Sequence, residues 1–301
     1  MKKTLAVLII AALALSLFAG CAQNTQSTQG TENAQSSQSF NEKRSISVVS
    51  REDGSGTRGA FIELFGIQVK GEDGTTTDMT TKEAITADGT NVMMTNIAND
   101  PYAIGYISLG SLNSTVKALN IDGVQASVGN IKDGTYKIQR PFNIAWAGET
   151  EGLTQDFIGF VFSKEGQDVV ADRGYIVVDE NAPAYSGDRP SGKLIINGSS
   201  SVYPLMEKLV EAYKSMNTNA VIELHQTDSS SGMTAAMNGS CDIGMASREL
   251  KDSERDKLNH TAIAIDGIAV IINNDNPRAN LSSEQIKNIF TGETSTWSDA
   301  K

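Results

Sequence analysis

The sequence is poor in the residues that most often carry chemistry in enzymes. Two cysteines, Cys21 and Cys241, and two histidines occur among 301 residues. Zinc-type Cys/His spacing is absent, and so is the Gly-x-Ser-x-Gly motif of hydrolase nucleophiles. If the thiol of Cys21 is modified, as the N-terminal pattern described below implies, Cys241 has no partner and no disulfide framework is possible, so Cys241 is interpreted as a small buried residue. The sequence therefore indicates no metal, no cofactor and no catalytic activity.

Positive charge is also scarce. The chain has 25 Lys and Arg against 36 Asp and Glu, which gives a net charge of −11. Proteins that bind nucleic acid need a basic face to neutralise phosphates, so no nucleic-acid partner is expected. A hydrophobic content of 39% is too high for a chain that is disordered throughout. The length suggests about two domains.

Residues 1–20 have the pattern of a signal peptide. Lys2 and Lys3 precede an apolar run over residues 5–18, which is too short for a comfortable membrane span, and small residues then precede Cys21. This pattern resembles a bacterial lipoprotein signal. The resemblance implies cleavage before Cys21, lipid attachment to its thiol and a place on the outer side of the cell membrane. The alternative is an ordinary secretory signal with an incidental cysteine.

The next segment is almost entirely polar. Residues 22–43 consist mainly of Gln, Asn, Ser, Thr and Gly, which cannot bury a core. We predict that residues 21–43 form a lipid-anchored flexible tether, which would span roughly 25 Å on average as a random coil. The folded body is expected over residues 44–301.

A glycine-rich loop near the start of this body has the pattern of an anion site. The segment "ISVVSREDGSGTRGAFIELF" reads as a buried strand, a polar turn and the start of a helix. Free N–H groups at a helix N-terminus attract anions. Ser55, Gly56 and Thr57 add donors and close backbone approach, Arg51 adds a planar cation, and Asp53 is placed to hold that cation. The alternative is a plain turn with a Ser or Thr helix cap.

The second half of the chain repeats this pattern of strand, polar turn and helix. "KLIINGSSSVYPLMEKL" predicts a strand, a turn carrying Ser200 and Ser201, and an amphipathic helix. "IELHQTDSSSGM" predicts a strand, a turn that includes Ser229, and a helix from Gly232. "CDIGMASREL" predicts a strand that ends near Ser247. Ligands of parallel α/β sheets sit at the carboxyl ends of strands, so we expect these loops to converge on one anion.

Taken together, the segments of the chain resemble those of the phosphate-binding lipoproteins of bacterial phosphate ABC importers. The segments that carry the resemblance include "VVSREDGSGTR", "AIGYISLGSL", "INGSSSVYPLMEKLVEAY", "CDIGMASREL" and "IKNIFTGETSTW". Their order differs from the family order, because the segments that end the family pattern come first here. The resemblance therefore implies a circular permutation, in which both half-sites are present but the chain is cut at another surface loop. The alternative is an artefact that joins two fragments.

The resemblance implies an α/β fold of the two-lobed, periplasmic-binding-protein-like type II class, with hinge strands between the lobes. One lobe would comprise residues 44–141 plus 264–301, and the other residues 142–263. The crossings are expected near residues 138–142 and 262–267, so that closure on a ligand survives the permutation.

The resemblance also implies roles for individual residues. Arg51 would pair with phosphate and Asp53 would orient it. The other phosphate ligands would be Ser55, Gly56, Thr57, Ser200, Ser201, Ser229 and Ser247.

One position departs from the family pattern. Where the better-known branch has an Asp that accepts the proton of hydrogen phosphate and rejects sulfate, this chain has Ser247. A site made only of donors would not discriminate in this way. Asp228 is a candidate replacement acceptor, and it is equally a candidate cap of the following helix.

The function implied is that of a monomeric, non-enzymatic receptor, which binds inorganic phosphate and delivers it to the subunits of a phosphate ABC permease. The membrane would be reached through the lipid anchor. A general receptor for oxyanions such as sulfate or arsenate, a phosphate sensor or surface protein without transport, and a phosphatase are the alternatives.

Overall fold

The structure, a computed structural model, describes residues 40–72 and 75–300. The predicted signal peptide, Cys21 and most of the predicted tether lie outside the described residues. Within the described ranges, none of the helices combines the length and the apolar character needed to cross a bilayer.

Strands and helices alternate along most of the chain. The strands are β1 (Ser47–Arg51), β2 (Gln68–Lys70), β3 (Thr76–Asp78), β4 (Ile85–Ala87), β5 (Ala103–Ser108), β6 (Lys117–Ala118), β7 (Asn120–Ile121), β8 (Gln139–Trp146), β9 (Gly192–Ser199), β10 (Ala220–Thr227), β11 (Ile243–Ala246), β12 (Asn259–Ile272) and β13 (Asn280–Leu281). The helices are α1 (Gly56–Leu64), α2 (Thr90–Asn99), α3 (Val128–Lys132), α4 (Gly152–Val161), α5 (Lys164–Asp172), α6 (Tyr203–Met216), α7 (Ser229–Met237), α8 (Asp252–Arg255) and α9 (Ser283–Thr291).

One large sheet has the strand order β10-β9-β11-β8-β12-β5-β1-β4. The long strand β12 joins its two halves. β12 pairs with β8 from Asn259 to Gly267 and with β5 from Ile268 to Ile272, antiparallel in both cases. A strand of 14 residues is needed because it must serve both halves in turn.

A small cluster of buried residues includes Met233 and Leu258, and two larger hydrophobic cores lie on either side of this junction. One contains Phe61 and Phe290, and we call the part of the fold around it lobe A. The other contains Phe160 and Leu205, and we call the part around it lobe B. Strand β12 passes from one core to the other, since it contributes side chains to each.

Parallel pairing aligns the strand ends that carry the polar loops. β1 is parallel to β4 and β5 in lobe A, and β9 is parallel to β10 and β11 in lobe B. The carboxyl ends of these strands therefore share an edge, where the following helices begin. Helix α6 buries Leu205, Leu209 and Tyr213 against lobe B, as its apolar spacing predicts.

The helix expected from Gly232 begins earlier, at Ser229. The cause is Asp228, whose side chain accepts a hydrogen bond from the N–H of Ser231. This cap converts the predicted turn into the first turn of α7, because it satisfies a backbone donor that has no partner within the helix. Ser229 therefore lies at a helix N-terminus.

Candidate functional site

Loops from both lobes meet at one point. Lobe A contributes Arg51, the last residue of β1, and Thr57, in the first turn of α1, and lobe B contributes Ser200 and Ser201 from the loop after β9. Thr57 Oγ1 lies 2.7 Å from Ser201 Oγ. Arg51 Nη2 donates to Ser200 Oγ at 2.9 Å. The structure thus brings together the two half-sites that the sequence predicted from distant segments.

Arg51 is the most deeply buried charged group at this point, with 1% of its surface exposed. Its Nε donates to Glu52 Oε2 and its Nη2 to Glu52 Oε1, both at 2.7 Å. Its Nη1 is buried and has no hydrogen-bond partner among the described residues. A buried donor without an acceptor is costly. The free N–H groups of Nη1 suit an oxyanion, to which guanidinium groups make strong charge-assisted bonds.

The expectation that Asp53 holds Arg51 is wrong. The side chain of Asp53 is 98% exposed and pairs with Arg58 Nη1 at 2.9 Å. Glu52 faces the guanidinium instead, and the chain turns just after Asp53 at Gly54, which has a φ of 86°. Burial alone would raise the pKa of Glu52, but hydrogen bonds and charge from Arg51 hold it below its usual value.

Gly56 opens α1 against hydroxyl groups of lobe B. A Cβ atom at this position would lie 2.3 Å from Ser229 Oγ and 2.8 Å from Ser247 Oγ. Glycine therefore permits a backbone approach that any side chain would prevent. The neighbouring Ser55 is buried, and its Oγ accepts a hydrogen bond from Arg58 N at 3.3 Å. Ser55 thus caps α1 at the edge of the cluster.

Three serines of lobe B form a buried hydroxyl group of their own. Ser199 Oγ donates to Ser247 Oγ at 2.9 Å. Ser247 N donates to Ser229 Oγ at 3.1 Å, and the hydroxyl oxygens of these two residues lie 3.4 Å apart. All three side chains are almost fully buried. Ser229 and Ser247 are therefore joined directly, as the convergence of their loops predicted.

Three further residues of the cluster, Glu52, Ser199 and Thr90, were not predicted from the sequence. Thr90 opens α2, and its Oγ1 lies 3.5 Å from Ser200 Oγ and 3.4 Å from that of Ser201. The signal was present in "ITADGTNV", which repeats the strand, the Asp-Gly turn and the Thr near the helix start that follow one another in the first loop. Gly89, in that turn, donates its N–H to Glu52 Oε2 at 3.1 Å.

The structure gives direct support to the helix-cap interpretation of Asp228. Its Oδ1 accepts from Ser231 N at 2.9 Å, and its Oδ2 accepts from Ser231 Oγ at 2.5 Å. The next residue, Ser230, donates from both N and Oγ to the carbonyl of Gly54 at 3.2 Å. This loop therefore links lobe B to the Gly-rich loop of lobe A.

The whole cluster has the chemistry of a small-anion site. Helices α1, α2 and α7 begin at it, and their N-terminal N–H groups carry partial positive charge. Hydroxyl groups can donate to an anion or accept from a protonated one. Among the described residues, no group of His, Cys, Asp and Glu has the arrangement of a metal site.

Comparison with known proteins agrees with this description. The model of the PBP superfamily domain matches residues 24–165 and 183–301. The phosphate-binding protein PstS 2 of Streptococcus agalactiae serotype V is 49% identical over 300 residues, which cover 99% of this chain and 98% of that protein. The crystal structure of a phosphate-binding protein of a phosphate ABC transporter from Streptococcus pneumoniae TIGR4 has 47% identity and a TM-score of 0.69. The alignment covers 85% of this chain and 100% of the chain in that structure.

The extent of these matches bears on the order of the segments. The alignment with the S. agalactiae protein runs through nearly the whole of both chains, so that relative shares the order found here. The phosphate-binding protein PstS of Bacillus subtilis matches at 34% identity over 141 residues, only 46% of this chain and 43% of that protein. A partial match of this size is expected between chains whose halves are in different order.

The matches confirm both the resemblance seen in the sequence and the two-lobed, periplasmic-binding-protein-like α/β fold. The chain belongs to the PBP superfamily and, within it, to the family of the PstS phosphate-binding proteins.

Proposed function

We propose that this protein is a receptor that binds inorganic phosphate between lobes A and B and delivers it to an ABC importer. The observation that carries the proposal is Arg51 Nη1, a buried cationic donor without a partner in the described structure. It belongs to a guanidinium whose Nη2 bonds Ser200 of the other lobe, where hydroxyl groups of both lobes meet. The relatives in this family are named as phosphate-binding proteins, which supports the same ligand. The proposed phosphate ligands are Arg51, Ser55, Gly56, Thr57, Thr90, Ser200, Ser201, Ser229 and Ser247.

The charge of the chain determines how such a site must work. With a net charge of −11, the protein cannot attract an anion through a broad positive field. It must use short-range donors, and the buried hydroxyl groups and helix N-termini supply them. The hydroxyl groups that form hydrogen bonds with each other would rotate to donate to the phosphate oxygens. Hydrogen bonds to the ligand would therefore replace hydrogen bonds within the protein.

We propose that the receptor works outside the cell membrane, where the substrate-binding proteins of ABC importers are found. Lipid attachment at Cys21, a monomeric state, the permease as partner and the absence of catalysis are parts of the same proposal. The lobes are proposed to divide at residues 141/142 and 263/264. The first boundary is supported by Ile138, which lies in the core of lobe A, and by Phe142, which lies in the core of lobe B. Ala264 also packs in the core of lobe B, which favours a second boundary slightly later in the chain.

A general oxyanion receptor is the second candidate. It is favoured by Ser247, which places a hydroxyl group where the better-known branch has a carboxylate, and by the use of both Asp228 oxygens in capping α7. Glu52 is the carboxylate nearest to Arg51, and its two oxygens accept from that guanidinium. Competition between anions distinguishes the two candidates.

Titration calorimetry of phosphate into the purified protein tests the function, with sulfate and arsenate as competitors. We expect one phosphate per chain. Arg51→Lys should weaken binding at least about 100-fold, because Lys cannot bond Glu52 in two places and still offer two free N–H groups. Arg173→Lys is the matched control, since Arg173 is exposed. A folded protein that binds no phosphate refutes the proposal, and equal affinity for sulfate supports the second candidate.

A further inference from the structure

A buried ion pair lies at the place where the lobes join. Arg140 is on β8 and Asp266 on β12, and the two are register partners. The next pairs of β12 mark the change of partner, because Gly267 still pairs with β8 while Ile268 pairs with Ser108 of β5. The side chains of Arg140 and Asp266 are 2% and 1% exposed.

The contacts of this pair run from lobe A to the hydroxyl cluster. Asp266 Oδ1 accepts from Ser108 Oγ at 2.9 Å and from Gly110 N at 3.4 Å, both on lobe A. Asp266 Oδ2 accepts from Arg140 Nη2 at 3.2 Å and from its Nε at 3.4 Å. Arg140 Nη1 then donates to the carbonyl oxygen of Ser247 at 3.0 Å. A continuous chain of hydrogen bonds thus connects β5 to a residue of the candidate site.

Stability does not explain the presence of this pair. A buried ion pair seldom stabilises a fold more than a well-packed apolar pair would, because the cost of removing both charges from water cancels most of their attraction. Burial raises the pKa of Asp266 to about 6 in spite of the nearby guanidinium. Burial also lowers the pKa of Arg140, and the charge of Arg51 adds to that effect. Tyr136 and Tyr175 also face Asp266, and burial raises the pKa of both.

We propose that Arg140, held in place by Asp266, is a positioning residue of the anion site. It fixes the Ser247 carbonyl, and with it the N–H and hydroxyl group that Ser247 shares with Ser229. Because Asp266 is anchored on Ser108, the position of Ser247 depends on the relation between the lobes at the hinge. This inference rests on the proposed function and deepens it, since the anion concerned is phosphate.

The test separates positioning from stability. Arg140→Met and Asp266→Leu each leave one buried charge without its partner, so each should lower both stability and phosphate affinity. The double variant removes both charges, and its urea midpoint should recover towards that of the wild type. Its phosphate affinity should nevertheless stay at least tenfold weaker than that of the wild type, because no donor reaches the Ser247 carbonyl.

Gln167→Met is the matched control. Gln167 is a buried polar residue of lobe B that donates to Val161 O and Ile263 O, away from the hydroxyl cluster. It should lower the urea midpoint and leave the phosphate affinity within twofold. Calorimetry with inorganic phosphate and urea unfolding without phosphate are the two measurements.

A double variant with recovered stability and wild-type affinity would overturn the proposal. Arg140→Lys is measured alongside it, since this variant keeps the buried charge beside Asp266 but cannot span both Asp266 and the Ser247 carbonyl. We expect it to bind at least fivefold more weakly at nearly unchanged stability. If the double variant does not fold, wild-type affinity in Arg140→Lys overturns the proposal by itself. Failure of the wild type to bind phosphate refutes the proposed function instead.

Discussion

Arg51 Nη2 and Ser200 Oγ are 2.9 Å apart although 149 residues separate them in the chain. One belongs to lobe A and the other to lobe B, so this bond exists only while the lobes are close together. The bond between Thr57 and Ser201 has the same property. Variants at these loops can therefore be designed to change lobe closure or cation pairing while the two cores stay intact.

Glu52 and Asp53 form a natural comparison, because both are acidic and only Glu52 contacts Arg51. We expect Glu52→Gln to lower the free energy of unfolding by about 3 kcal/mol without phosphate, since it leaves a buried guanidinium unpaired. Asp53→Asn should leave it nearly unchanged, because water screens the exposed carboxylate. Urea unfolding checks this. Added phosphate should raise the free energy of unfolding more in Glu52→Gln than in the wild type. An equal loss of stability in Glu52→Gln and Asp53→Asn would contradict the assignment of Glu52 as the partner of Arg51.

Gly56 and Gly59 lie on the same helix and differ in what an added methyl group would meet. At Gly56 the Cβ would lie 2.3 Å from Ser229 Oγ, whereas at Gly59 the nearest atom would be Arg248 Cδ at 3.6 Å. We expect Gly56→Ala to weaken phosphate binding about tenfold or more, because overpacking of this size typically costs about 1–3 kcal/mol and opposes closure.

Calorimetry and thermal unfolding of both glycine variants test this expectation. Gly59→Ala should keep its affinity and gain stability, since Ala is the better helix former in a helix interior. Unchanged phosphate affinity in Gly56→Ala would show that the lobes do not need this close approach.

Asp228 can be tested for a role in selectivity separately from its role as a cap. Asn caps helices about as well as Asp, so Asp228→Asn should preserve stability. Because both carboxylate oxygens are engaged by Ser231, we also expect the ratio of phosphate to sulfate affinity to stay the same. Asp228→Ala should lower the free energy of unfolding by about 1 kcal/mol. A gain of sulfate binding in Asp228→Asn would instead identify Asp228 as the acceptor that rejects sulfate.

Glu254 gives a prediction about pH. Its carboxylate accepts from Arg248 Nη1 and Nη2 at 2.8 Å. Burial alone would raise the pKa of Glu254, but the bonds from Arg248 and from the Lys251 N–H hold it below its ordinary value of 4.5. Since the folded pKa is the lower one, this stabilisation is present above pH 4.5 and is lost as the pH falls through the folded pKa.

The matching variant is Glu254→Gln, which leaves Arg248 without its buried counter-charge. At pH 7 it should be less stable than the wild type by about 3 kcal/mol. The difference in free energy of unfolding between Glu254→Gln and the wild type should become smaller as the pH falls below 4.5, because the Glu254 carboxylate of the wild type is then protonated. Urea unfolding at several pH values measures this, and a difference independent of pH would show that the pair does not act through ionisation.

The sequence by itself determined the local units. Strand, Gly-rich turn and helix followed from "VVSREDGSGTRGAF", because apolar runs, glycines and N-terminal hydroxyl groups act within a few residues of each other. The fold class also followed from the sequence, through the resemblance of its segments to a known family. The expected meeting of Arg51 with Ser200 needed one further rule, that parallel strands share a carboxyl edge.

Only the tertiary structure decided which side chains face each other. Glu52 and Asp53 are neighbours with the same charge, but Glu52 faces Arg51 whereas Asp53 pairs with Arg58 at the surface. The contact of Arg140 with Ser247 depends on how two crossing strands align at the hinge. Hydrogen bonds depend on distances of a few tenths of an ångström and on direction, and these are set by packing between segments more than 100 residues apart.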